Sequence, residues 1–157
     1  MTQVQARQTL EDIAKKSAII TTTLLGSIMS GRLIKSPFTP SKDMPALVAG
    51  DEANFNTYLG IDIVAAARVQ NYDPATDEML VYIPPPAGGW HWSTGSLAAL
   101  PQTMYGYAFT KTAAATPLAG SDILFAALFD TPIVLTAIGQ EVDLPAITVR
   151  YKIGGIQ

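Results

Sequence analysis

The sequence predicts a mainly β fold, an antiparallel β-sandwich or jelly-roll-like barrel preceded by an N-terminal amphipathic helix. Short apolar, β-branched and aromatic runs recur from Gly31 onward, each bounded by Gly, Pro, Asp or Thr, as strands of a small sandwich or barrel are. Prolines at 37, 40 and 84–86 stop these runs before any reaches helical length, since proline cannot donate to a sheet ladder. Only the N-terminal stretch places apolar residues at helical spacing. A chain of 157 residues fits one domain able to bury its own core. The expected organisation is a helical arm over 1–30 and a β-sandwich domain over 31–157.

In the arm, Leu10, Ile13, Ser17, Ile20 and Leu24 recur on one helical face, with Arg7, Glu11, Lys15 and Lys16 between them, the signature of an amphipathic helix. Thr2 is a candidate cap. The β-branched run Thr21-Thr22-Thr23 weakens helix beyond that point, and Gly26 or Gly31 would end it. Leu10, Ile13, Ile20 and Leu24 are therefore candidate interface residues, a stripe fit to dock in a neighbour's groove or to bundle with symmetry mates.

Arg32 to Lys35 is a short strand candidate and Lys42 to Gly50 a loop. Asp51 to Phe55 suits one helical turn, with its acidic residues at the positive end. Ile61 to Val69 reads as the first long strand. Asn71 to Asp77 is a turn in which Asp73-Pro74 suits the first two positions of type I, and Met79 to Ile83 is the returning strand. Met104 to Thr110, Ile123 to Phe129 and Ile147 to Ile153 are further strands, and Val142 to Leu144 is a short candidate.

Charge narrows the function classes. Only 15% of residues are charged and the formal net charge is −3, against about a quarter charged in ordinary soluble domains. Ten basic residues spread thinly do not make the clustered positive surface that phosphate neutralisation requires, so no direct nucleic-acid role is expected. The run from Ser17 to Met29 is too short and too polar for a membrane span, which needs about 20 apolar residues. No membrane association and no signal peptide are expected. From Met79 to Phe129 the only charged side chains are Lys111 and Asp122, although this span includes loops such as Pro84 to Gly89 and Thr112 to Gly120 that a solitary domain would expose. Interface cores are depleted of charge in the same way. The favoured reading is that other protein molecules cover these loops; the alternative is a surface wetted by Ser, Thr, Gln and backbone.

Catalytic constellations are sparse. There is no cysteine and one histidine, His91, so triads, thiol nucleophiles and His- or Cys-rich metal sites are not expected. Asp73, Asp77 and Glu78 are close in sequence, but glycosidase chemistry needs two carboxylates across a cleft; a solvated hairpin is favoured, with a Ca²⁺ site a distant second. The glycine pairs 88–89 and 154–155 lack the flanks of a nucleotide loop. No catalytic residue, cofactor or metal is assigned. Trp90-His91-Trp92 is the most distinctive local feature: two indoles one residue apart point to the same side of an extended segment. They form either an aromatic platform for a sugar or neighbouring subunit, or core packing under the Pro/Gly-rich loop. Both readings stand, and Trp90, His91 and Trp92 are carried as interface candidates.

The order of motifs resembles a known group. Leu33-Ile34-Lys35-Ser36-Pro37-Phe38-Thr39-Pro40-Ser41 is followed by Leu47 to Asp51, then Phe55, Tyr58 and Gly60. Later come Met104-Tyr105-Gly106-Tyr107-Ala108-Phe109-Thr110, Ile123-Leu124-Phe125-Ala126 and Val142-Asp143-Leu144-Pro145-Ala146-Ile147-Thr148-Val149. This layout resembles a diffuse group of small tailed-bacteriophage virion proteins, usually described as tail-fibre-like, decoration or minor structural proteins. It covers Gly31 to Ile153; the N-terminal helix has no counterpart in it. The resemblance implies localisation in the virion and a non-enzymatic structural role. With no distal receptor-binding region before Gln157, a capsid decoration or cement subunit, or a minor head-tail protein, is expected. The implied partners are major capsid or tail subunits and copies of the chain itself. A carbohydrate-binding adhesin module, motivated by Trp90, Trp92, Tyr105 and Tyr107, is the alternative, and a small glycan hydrolase ranks last.

Overall fold

The computed structural model describes residues 28–40, 46–64, 69–73, 75–83, 85–144 and 147–152. The expected N-terminal helix, with Leu10, Ile13, Ile20 and Leu24, lies outside these residues. Within them the protein is mainly β and every strand pairing is antiparallel.

Nine strands are described: β1 (Ile28–Ile34), β2 (Ile61–Val64), β3 (Val69–Asp73), β4 (Glu78–Ile83), β5 (Trp90–Ser93), β6 (Gln102–Thr110), β7 (Ile123–Leu135), β8 (Glu141–Leu144) and β9 (Ile147–Lys152). They form a four-stranded sheet in the order β2-β1-β6-β7, a three-stranded sheet β3-β4-β9 and a two-stranded ribbon β5-β8. All three contribute to one apolar core: Met29 and Leu33 from β1, Met104 and Phe109 from β6, Ile83 from β4, Ile147 from β9, and Trp90, Trp92, Val142 and Leu144 from the ribbon.

The four-stranded sheet is covered on both faces. Side chains alternate along a strand, so Met29 and Leu33 of β1 face the main core, while Ile34 joins a second cluster with Leu47, Ala108, Leu118 and Ile123. Ser30 and Arg32 share that second face and are fully buried. They survive burial because their polar atoms are paired. Arg32 Nε donates to Ser30 Oγ (3.0 Å), Nη1 to Glu52 Oε2 (2.9 Å) and Nη2 to the Ala113 carbonyl (2.7 Å). Ser30 Oγ lies 2.7 Å from Thr110 Oγ1 across the β1–β6 pair.

Two glycines are set by close approach. A Cβ on Gly31 would meet the Trp90 ring at 2.9 Å, and one on Gly106 would lie 2.2 Å from the Ala127 carbonyl oxygen. Trp90 packs edge-on against Phe109, with centroids 4.9 Å apart. Its Nε1 has no hydrogen-bond partner among the described residues.

Several expectations are corrected. Residues 28–30 are strand, so β structure begins inside the expected helical arm. The run Ile61 to Val69 is not one strand: β2 and the start of β3 belong to different sheets. No helical turn forms over Asp51 to Phe55; a 3₁₀ turn spans Ala49–Asp51 instead, because Glu52 and Ala53 are pulled alongside β1 by the Ile34–Glu52 bridge and the Ala53 N–H bond to the Leu33 carbonyl (2.9 Å). β7 runs six residues past Phe129, through Pro132, which an edge strand tolerates. β5 was not expected as a strand.

Candidate functional site

The Trp90-His91-Trp92 segment sits on the β5–β8 ribbon. Trp90 is 1% and Trp92 4% exposed, so neither indole offers a face to a sugar or a neighbouring subunit. Their place as interface candidates is corrected: the strand's alternation turns both rings inward, onto Val142 and Leu144 across the pair. Trp92 Nε1 donates to the Leu59 carbonyl (2.8 Å) and its ring stacks with Tyr58.

The same alternation turns His91 outward. Its cross-strand partner is Asp143, whose Oδ1 lies 2.7 Å from Nδ1. Glu141 Oε1 lies 3.9 Å from Nε2, on the opposite edge of the ring. The hydrogen bond to Asp143 lifts the imidazole above its usual pKa; desolvation opposes this, and the charges of Asp143 and Glu141 add to the rise. One ring nitrogen and two carboxylates, with donor atoms within 4.8 Å of one another, make this a donor set able to hold a cation.

A second feature gathers where three loops meet: 53–60, 93–101 and 136–140. Asn56 Nδ2 donates to Ser96 Oγ (2.9 Å) and Thr57 Oγ1 to the Ser93 carbonyl (2.8 Å). Thr94 Oγ1 donates to the Ala137 carbonyl (2.6 Å) and accepts from Gln140 N (3.0 Å), and Gly139 N donates to the Thr94 carbonyl (2.8 Å). The loops are held tightly: a Cβ on Gly95 would meet Thr57 Cγ2 at 2.4 Å. None of the three carries a charged side chain, yet each presents one large apolar residue to solvent, Leu59 (63%), Leu97 (62%) and Ile138 (61%). Thr57 (φ 74°) and Ala99 (φ 62°) adopt left-handed backbone conformations. A β-branched residue rarely does so, and such strain persists where the surroundings impose it, often at functional surfaces.

The carboxylates of the β3–β4 hairpin and Glu52 have structural work. Asp73 and Glu78 pair across the β3–β4 hairpin. Asp73 Oδ1 accepts from Ala75 N (2.9 Å), Asp77 Oδ1 from the Tyr72 hydroxyl (2.9 Å), and Glu78 lies 3.6 Å from Arg150. This is the hairpin reading of the cluster. Glu52 bridges Arg32 and the Tyr58 hydroxyl (2.8 Å); burial first, then the Glu52 charge, pushes the Tyr58 phenol far above its usual pKa. No helix among the described residues is long and apolar enough to cross a membrane.

Sequence reading singled out His91 but not its two partners, which lie 50 and 52 positions downstream and are set beside it only by the β5–β8 register. Nor did it connect Leu59, Leu97 and Ile138. The one available signal was the absence of charge, which marked the middle loop and could not show that two others join it. No protein-family model, curated protein or solved structure matches the chain.

Proposed function

We propose that the protein is a non-enzymatic structural subunit of a tailed-phage virion, a capsid decoration or cement subunit or a minor head-tail protein, whose charge-free loop cluster is covered by neighbouring protein in the assembled particle. The observation that carries this reading is the convergence of three uncharged loops, each exposing one large apolar side chain, Leu59, Leu97 or Ile138. Interface cores have this composition, whereas a surface meant for water carries scattered charge. The three sheets around one core would act as a rigid, sandwich-like body that presents the loops. Small contact energies repeated over many copies then add into a stable particle. The virion assignment rests on the motif order from Gly31 to Ile153.

The adhesin alternative loses its main support, since both indoles it relied on are buried. The hydrolase alternative loses the Asp73, Asp77 and Glu78 cluster to hairpin structure.

The test is to size the purified full chain by light scattering at micromolar concentration and to assay its binding to assembled phage shells. Oligomers, or saturable shell binding, are expected. A monomer that ignores shells overturns the reading.

A further inference from the structure

We propose that His91, Glu141 and Asp143 form a site for a divalent transition-metal ion on the outer face of the β5–β8 ribbon, with His91 Nε2 and Glu141 as ligands and Asp143 as the positioning residue.

The ribbon sets the geometry. His91 and Asp143 are directly paired, and Glu141 pairs with Ser93, one step along the same outward face. Three donors are thus fixed by strand register, with Trp90, Trp92, Val142 and Leu144 anchoring the ribbon's other face in the core.

The two edges of the imidazole have different environments. A carboxylate only accepts, so in the neutral ring the 2.7 Å contact with Asp143 requires the proton on Nδ1. That leaves an unprotonated lone pair on Nε2, the ring nitrogen on which Glu141 Oε1 makes its contact. Metal-bound histidines are commonly held this way, one nitrogen on the ion and the other donating to a carboxylate that fixes the tautomer and raises ligand basicity. The Nε2–Oε1 gap of 3.9 Å is too long for a hydrogen bond. Zinc takes nitrogen at about 2.0–2.1 Å and carboxylate oxygen at about 2.0–2.2 Å in tetrahedral geometry, which sets two ligand atoms roughly 3.3–3.5 Å apart, so Oε1 must move in by about half an ångström for one ion to bridge the pair. Glu141 is well exposed, so its side chain is free to close the angle, and water completes the coordination.

The donor set also selects the metal class. Imidazole with carboxylate suits Zn²⁺, Ni²⁺ or Cu²⁺, while Mg²⁺ and Ca²⁺ prefer all-oxygen shells. This inference is independent of the structural-subunit reading.

His91 is the only histidine in the chain, so every imidazole signal in a spectrum of the full-length protein belongs to it. The experiment is a Zn²⁺ titration of ¹⁵N-labelled protein at mildly alkaline pH, following the ring nitrogens, with calorimetry in parallel. Expected are a saturable shift of Nε2 at sub-millimolar Zn²⁺ with Nδ1 still protonated, no response to Mg²⁺, and loss of the calorimetric event in His91→Gln. Glu141→Gln should weaken binding by about tenfold or more, and Asp143→Asn by about tenfold, while also releasing the tautomer preference seen without metal. Ring signals unmoved by millimolar Zn²⁺ would overturn the proposal. So would equal affinity in wild type, Glu141→Gln and Asp143→Asn, because the ion would then be held by a lone surface imidazole.

Discussion

At the scale of single residues, the most consequential pair is Arg32 with Glu52. The guanidinium is fully buried, and among the described residues Glu52 supplies its only carboxylate, at 2.9 Å. Such a pair is weak evidence of net stabilisation, but removing one partner strands a buried charge, at about 3–5 kcal/mol. Glu52→Ala should therefore lower the urea midpoint by that equivalent, whereas Arg32→Leu combined with Glu52→Leu should recover much of the loss. A small effect of Glu52→Ala alone would mean that water reaches the guanidinium. Asp51 gives a milder, pH-dependent case. Its Oδ2 accepts from Val48 N (2.8 Å), and that bond, with Ser36 and Lys35 assisting, holds the carboxyl below its ordinary value of 3.8. A carboxylate with a depressed folded-state pKa contributes stability above its unfolded value, and the contribution is lost as pH falls through the folded one. Asp51→Asn should remove that small increment at neutral pH and leave stability unchanged once the pH lies below the lowered folded-state pKa, where Asp51 itself is protonated. Thermal melts of both proteins across that range would show the two curves converging at acid pH.

At the scale of elements, β6 and β7 show what a strand sequence does and does not disclose. β6 was legible because Met-Tyr-Gly-Tyr-Ala-Phe-Thr is rich in aromatic and β-forming residues and bounded by turn signals. β1 was legible only in its second half, since Ser30 and Arg32 are polar yet buried, and simple apolar alternation fails where both faces of a sheet are covered. β5 is four residues long, its inward pair reads equally well as a platform, and its partner β8 lies some fifty residues away. The site inherits that difficulty: outward His91 was readable, but the carboxylates beside it follow from a register that local sequence does not encode. The β6–β7 pair also carries an irregularity, with Met104 opposite Ile133 but Gly106 opposite Leu128, and Gly106 sits beside it. A Cβ there would meet the Ala127 carbonyl oxygen at 2.2 Å and Leu128 Cα at 3.0 Å. Those are backbone atoms held by the ladder and cannot swing aside. Gly106→Ala should therefore cost about 3 kcal/mol or more, at or above the top of the usual overpacking range of about 1–3 kcal/mol. Gly50→Ala, where nothing lies within 4 Å of the added carbon, should be nearly neutral. Similar melting temperatures for the two variants would show that β7 shifts readily on β6.

At the scale of the whole molecule, the distribution of charge separates two kinds of surface. The β5–β8 ribbon and the β3–β4–β9 sheet carry His91, Glu141, Asp143, Asp77, Glu78 and Arg150 toward solvent or its margin, an ordinary wetted exterior. The loop cluster carries none, and its three exposed apolar side chains lie on segments tied together through Asn56, Thr57 and Thr94. If that cluster is the contact surface of an assembled subunit, a single carboxylate placed there must be desolvated on association without a partner, which is costly, while the isolated chain tolerates it because the position is already in water. Leu97→Glu and Ile138→Glu should therefore leave the unfolding free energy within about 0.5 kcal/mol of wild type yet sharply reduce oligomer formation or shell binding. Val48→Glu is the matched control: Val48 is equally exposed (59%) but lies in the segment bridged to Ala119, outside the three loops, and should behave as wild type in both assays. An equal loss from all three variants would make the effect one of net charge, since each takes the chain from −3 to −4, rather than of a particular surface. Loss confined to the two loop variants is the outcome that only a localised interface produces.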